Sequence, residues 1–271
     1  MIKRKKVGIA LGSGGAKGAA LVGVLKILEK YKIPIDAISG SSIGSLVGAF
    51  YAYKPDAKEL EKITKETAWK KLLDYTFPKK GLIKGEEFEK FLRKKLDNVS
   101  FEDLKIPLYV STFDLENKRE LIFSRGDVSK AVHASCAIPG VFIPVVIKDK
   151  LLVDGGVVDP LPVQALRKIG CDVVIGVNLG FIKEKKTHFN QESTTRSLEK
   201  KIPGILDTIQ NALRVMESRV ETLEVERHKP DVLINLSLPN VGLFDDSKID
   251  QTIRRGEAAA RKKIIHIKRL I

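Results

Sequence analysis

The chain has 271 residues, 43% of them hydrophobic, enough to bury a substantial core in one large α/β domain. Its formal net charge of +14 is interleaved with acids, as in Glu86-Glu87-Phe88-Glu89-Lys90, which is the pattern of solvated helix faces; no aromatic-rich basic strand, zinc finger or arginine-rich arm points to nucleic acid. Cys136 and Cys171 have neither the spacing of a disulfide framework nor nearby paired histidines for a metal cage, so reduced, buried thiols are expected.

Met1 to Lys6 followed by VGIAL has the outline of a secretory leader, but Gly12-Ser13-Gly14-Gly15 and Lys17 interrupt the apolar run at once. A basic lead-in to a buried strand, Val7 to Leu11, is the expectation instead. Since no segment offers about 18 uninterrupted apolar residues, no transmembrane helix is expected. The expected location is the cytoplasm, with the positive charge drawing the protein to the anionic inner face of a membrane.

The remaining elements alternate. AALVGVLKILEKY (19–31) has helical spacing, residues 36–39 form a second strand, and IGSLVGAFYAY (43–53) a second buried helix. Residues 57–98 read as several Lys/Glu-rich amphipathic helices broken at Pro78 and Gly81. Strands follow at 108–113 and 121–124, a helix at 128–136, and VVIKDKLLVDGG forms a hairpin turning at Lys148-Asp149. LPVQALRKIG is a helix closed by Gly170, residues 171–179 a buried strand, and 181–201 a polar, mobile surface loop. A long amphipathic helix from about 205 to 227, a strand at 232–236 and a basic helix from 249 complete the chain. Such alternation implies an α/β fold, with a mostly parallel sheet covered by helices on both faces and a single domain over residues 1–271.

The stretch GSGGAKG (12–18), between the first strand and helix, can converge backbone N–H groups on an anion. As a dinucleotide fingerprint it is incomplete, because the third glycine falls on Lys17, although Asp36 stands near the position of a ribose-binding acid. As a nucleoside-triphosphate loop it fails, since Lys17 precedes Gly18 and no hydroxyl residue follows. Further on, Gly40-Ser41-Ser42-Ile43-Gly44 places a serine between two glycines at a strand-to-helix junction, the context in which a tight turn exposes a nucleophile. Ser41 and Ser45 lack that flanking pair. With Ser42 as nucleophile, the N–H groups of Gly14 and Gly15 can hold a developing oxyanion, and Lys17 adds positive charge or fixes the loop. Leu151-Leu152-Val153 delivers Asp154 into Gly155-Gly156, which makes Asp154 the candidate base, unless it is an ordinary Asp-Gly turn. Among the histidines, His133 is the best placed alternative; His188, His228 and His266 lie in polar or terminal segments.

Together, LGSGGAKGAALVGVL, ISGSSIGSLVGA, FEDLKIPLYV, SCAIPGVFIPV, LLVDGGVVDPLPV and PDVLINLSLPNVGLFD resemble the patatin-like phospholipases, specifically their bacterial branch. The likeness implies a Ser42-Asp154 dyad without histidine, an oxyanion loop of Gly14, Gly15 and Lys17, and Gly40 and Gly44 around the nucleophile. It implies no metal and no cofactor, and a phospholipid or lysophospholipid acyl ester as substrate. Ser13 stands where many relatives have glycine, and Asp159 where asparagine is common. Residues 69–96 combine Trp69, Leu72, Leu73, Tyr75 and Phe77 with Lys70, Lys71, Lys79 and Lys80, which suits either an interfacial cap over an acyl groove or a helical layer on the core. A nucleotide-binding α/β protein and a non-enzymatic basic membrane-binding protein are the alternatives in function.

Overall fold

The computed structural model describes residues 4–76, 82–180, 204–238, 241–242 and 245–271. The expected loop at 181–201 and the break at Pro78 and Gly81 lie outside these residues, as do Phe77, Lys79 and Lys80.

The first strand, β1 (Val7–Leu11), sets the architecture through its alternation. Val7, Ile9 and Leu11 point into the large core formed with α1 (Ala19–Lys30), α2 (Ile43–Tyr53), α5 (Val128–Ser135) and α8 (Ile249–Arg261). Ala10 points the other way, into a smaller core with Leu166 of α6 (Val163–Lys168) and Val225 of α7 (Ile205–His228). That second layer is thin at β1. A Cβ on Gly8 would lie 2.9 Å from Cys171 Sγ and 3.0 Å from Leu166 Cδ1, so glycine lets α6 approach the sheet.

Five parallel strands run in the order β3 (Leu108–Asp114), β2 (Ala37–Ser41), β1, β7 (Val173–Asn178), β8 (Val232–Asn235). Strand order reverses at β1 and β7, and the glycine loop opens at this switch point, where α/β sheets commonly bind ligands. Three antiparallel strands complete the sheet: β4 (Arg119–Phe123) lies beyond β3, whereas β6 (Lys150–Asp154), with β5 (Val145–Ile147) beside it, pairs along the edge of β3 that β2 also uses.

Pairing along β3 brings two distant segments together. β4 covers Val110 to Asp114 on one edge, so β2 and β6 must share the other. β2 occupies that edge as far as Ser41 opposite Ser111, and β6 takes over with Asp154 opposite Thr112. The C-terminal ends of β2 and β6 therefore meet head to head at neighbouring residues of one strand.

Residues 57–98 form α3 (Ala57–Glu66), a 3₁₀ turn (Trp69–Leu72) and α4 (Glu86–Lys95). β4 begins two residues before its expected start because Arg119 pairs opposite Asp114. The helix expected over 161–170 is shorter, with Leu161 and Pro162 before its first turn. The C-terminal basic segment divides into α8 and α9 (Ile264–Leu270). Among the described residues, no helix is long and apolar enough to cross a membrane.

Candidate active site

Ser42 follows the last residue of β2 and precedes α2, with φ 52° and ψ −127°, a region that costs a non-glycine residue strain. Its flanking glycines make this turn sterically possible. A Cβ on Gly40 would lie 2.6 Å from the backbone of Gly44 and Ser45, and one on Gly44 would run into the carbonyl of Leu11. A hydroxyl clamps the turn to the sheet: the Ser42 N–H donates to Ser135 Oγ (3.0 Å), and Ser135 donates to the Ser111 carbonyl (2.7 Å).

The Ser42 hydroxyl donates to Asp154 Oδ2 at 2.5 Å, while Asp154 Oδ1 accepts from the Gly156 N–H at 2.8 Å. Both side chains are buried, Ser42 at 6% and Asp154 at 2% exposure, so little water competes for the pair. Burial first, and then the negative charge of Glu217, push the Asp154 carboxyl up to about 8; the hydrogen bonds from Ser42 and Gly156 oppose the shift. An ordinary carboxylate is a weak base for a serine hydroxyl, and this environment strengthens it.

In the glycine loop, Gly14 and Gly15 have φ 156° and 58°. The Gly12 N–H is used by Val177 O (3.0 Å) and that of Ser13 by Pro160 O (2.9 Å). Among the described residues, the N–H groups of Gly14 and Gly15 have no acceptor, and Gly15 lies in the wall of the cavity that reaches Ser42. Lys17 Nζ is 3.5 Å from the Leu179 carbonyl, and its charge bears on the buried Glu221 of α7, so its side chain ties the loop to the end of β7.

The cavity beside Ser42 encloses about 150 Å³. Ala19, Ile43, Leu46, Phe88, Ile138, Phe142 and Ile249 give it an apolar wall, completed by Trp69, Leu72 and Leu73 of the 3₁₀ segment. Lys70 and Asp246 also line it and pair with each other at 3.0 Å, with the lysine largely in solvent. Tyr75 is exposed. The cavity suits an aliphatic chain, with Ser42 and Gly15 in its wall.

The remaining candidates have other partners. His133 is buried on α5, with Nδ1 3.0 Å from Glu89 Oε2 and its ring edge-on to Phe88. His228 pairs with Glu224, His266 is exposed, and His188 lies outside the described residues. Asp36 accepts from the Val7 N–H (2.7 Å) and from Arg4 (2.6 and 2.9 Å) before the start of β2. That is the end of the sheet opposite the glycine loop, so Asp36 is no ribose-binding acid. Asp159 is buried with its carboxyl pushed up to about 7, chiefly by burial, and accepts from the Leu161 N–H. Cys171 is buried, whereas Cys136 is only half-buried and lines the cavity. Among the described residues no cluster of ligating side chains could hold a metal ion.

Sequence reasoning missed Ser135, Glu217 and Glu221. Ser135 ends α5 and opens SCAIPGVFIPV, but nothing in that segment singles out its hydroxyl, and the two glutamates look like solvent-facing positions of a long polar helix.

The family model for patatin-like phospholipase matches residues 9–167. A lysophospholipase of Aspergillus niger is 31% identical over 284 residues, covering 98% of this chain and 18% of that protein. A lysophospholipase of Coccidioides immitis is 32% identical over 271 residues, covering 93% and 17%. The chain thus spans under a fifth of these fungal relatives. The crystal structure of VipD from Legionella pneumophila superposes with a TM-score of 0.63 at 14% identity, over 95% of this chain and 66% of that one, a likeness of fold.

Proposed function

The chain belongs to the patatin-like phospholipase family, and on that premise we propose that it is a serine-dependent lipid acyl hydrolase that releases fatty acid from a phospholipid or lysophospholipid. The observation that carries this reading is the 2.5 Å hydrogen bond from Ser42 to Asp154 beside an apolar cavity. The lysophospholipase names of the fungal relatives support the substrate class. The reading places the chain in the family's bacterial branch on the spacing of its motifs.

In the proposed reaction the acyl chain occupies the cavity. Ser42 Oγ attacks the ester carbonyl as its proton passes to Asp154 Oδ2, and the carbonyl oxygen takes the negative charge. The N–H groups of Gly14 and Gly15, with the N-terminus of α2, stabilise that oxyanion. Lys17 holds the loop in place. Collapse of the intermediate expels the alcohol, which takes the proton from Asp154. Water, activated by the same carboxylate, then releases the fatty acid from Ser42.

Residues 69–96 act as a cap over the acyl groove in this reading, supported by Trp69, Leu72 and Leu73 in the cavity wall. Action in the cytoplasm, with peripheral contact at an anionic membrane face, rests on the net charge of +14. A fluorophosphonate probe tests the central claim. It should label Ser42 alone, with loss of acyl-ester hydrolysis in step with labelling; a folded protein that neither labels nor hydrolyses a soluble acyl ester refutes the reading.

A further inference from the structure

Helix α7 turns carboxylates toward the catalytic end of the sheet. A Cβ built on Gly156 would lie 3.1 Å from Asp154 Oδ1 and 3.4 Å from Glu217 Oε1, so the two carboxylates border the same small space beside one glycine. One helical turn on, Glu221 is 3% exposed, and its Oε1 has no hydrogen-bond partner among the described residues. Burial, and after it Glu217, push the Glu221 carboxyl up to about 8, against the opposing charge of Lys17. Glu217 itself is half-buried.

We propose that Glu217 is a positioning residue for the reaction: its carboxylate, beside Gly156, supplies the negative field that favours passage of the Ser42 proton to Asp154. This rests on the acyl-hydrolase reading above. A nearby like charge makes a carboxylate hold a proton more tightly, so Glu217 strengthens the base without touching the substrate. The other groups facing Asp154 do not replace it. Ser42 and Gly156 donate hydrogen bonds, which weaken the base, and Cys136, at the end of α5, is a thiol whose ionisation burial opposes. Lys17, from the glycine loop, acts on Glu221. Glu221, being buried, is held toward its neutral form.

The test is the pH dependence of kcat/KM for a soluble acyl ester, measured on parent, Glu217→Gln and Glu217→Asp, with circular dichroism to confirm folding. In Glu217→Gln the acid limb should move to lower pH by about half a unit or more, and the high-pH plateau should fall by about threefold, because the base ionises more easily and accepts a proton less well. Glu217→Asp keeps the charge and should keep the limb near the parent's. Should Glu217→Gln fail to fold, Glu217→Ser is read the same way. An active parent whose profile coincides with that of the folded neutral variant overturns this proposal alone. Equal shifts in the Gln and Asp variants also overturn it, since they would point to side-chain length rather than charge. A folded parent that hydrolyses no ester overturns both this proposal and the activity it rests on.

Discussion

Ser42 and Asp154 are 112 positions apart in the chain and 2.5 Å apart in space, and one strand brings them together. β3 holds Ser41 opposite Ser111 and Asp154 opposite Thr112, so the register of a single strand sets the proposed nucleophile beside the proposed base.

If these two residues act in one step, Ser42→Ala and Asp154→Asn should each abolish most turnover of a soluble acyl ester, and the double variant should lose little more. His133→Ala, His188→Ala, His228→Ala and His266→Ala should each stay within about tenfold of the parent. Initial rates, with circular dichroism as the check on folding, decide the matter. A dead but folded histidine variant beside a fully active Asp154→Asn would require a triad.

Asp154 also predicts a pH dependence of stability. Its folded-state value of about 8 lies above the ordinary carboxylate value of 3.8, so the folded protein holds a proton that the unfolded chain releases. Stability from this group is therefore full below about pH 4 and declines as pH rises through the window to about 8. Asp154→Asn removes the buried charge, and its melting temperature should exceed the parent's by more at pH 9 than at pH 5. The opposite trend would show that the carboxylate is stabilised, not penalised, by its surroundings.

Gly44→Ala should be far more damaging than alanine in a helix normally is. The added methyl would meet the Leu11 carbonyl, so α2 must shift away from β1, at a cost of about 1–3 kcal/mol or more, and Ser42 would shift with it. Denaturant unfolding and ester hydrolysis should both report the loss. A variant as stable and active as the parent would mean that the turn has slack.

Ser135→Ala leaves the buried Ser42 N–H without its acceptor, an expected cost of about 1–3 kcal/mol. Turnover should fall on the order of tenfold with little change in KM, because the defect lies in nucleophile geometry. Ser135→Thr, which keeps the hydroxyl, should recover part of that loss; a rise in KM alone would argue against the clamp.

Much of this was legible in the residues because local chemistry and tertiary role coincided. Val7 to Leu11 reads as a buried strand and is one; Ile43 to Tyr53 is a helix with those same limits. The glycines around Ser42 are legible because only a sharp turn between a strand and a helix needs both. Asp36 was misleading for a physical reason: distance along the chain suggested a ribose contact, but the residue stands before β2, at the far end of the sheet. Ser135, Glu217 and Glu221 were illegible because their importance comes from neighbours distant in the chain. Carboxylates on a long helix look the same in sequence whether they face water or another buried carboxyl.

The proposed base stands on a strand with a short pairing. β6 pairs with β3 over Leu152 to Asp154, with one further backbone bond from the Leu115 N–H to the Leu151 carbonyl, and its outer neighbour β5 pairs, among the described strands, with β6 alone. Ser42, by contrast, stands at the end of a strand held between two parallel neighbours. Heat or mild denaturant should therefore open the β5–β6 hairpin before the sheet melts, separating Asp154 from an otherwise intact Ser42. Amide exchange should be faster at Val146 and Leu151 than at Ile38 and Val174, and the protein should fall catalytically silent while its spectrum still reads as folded.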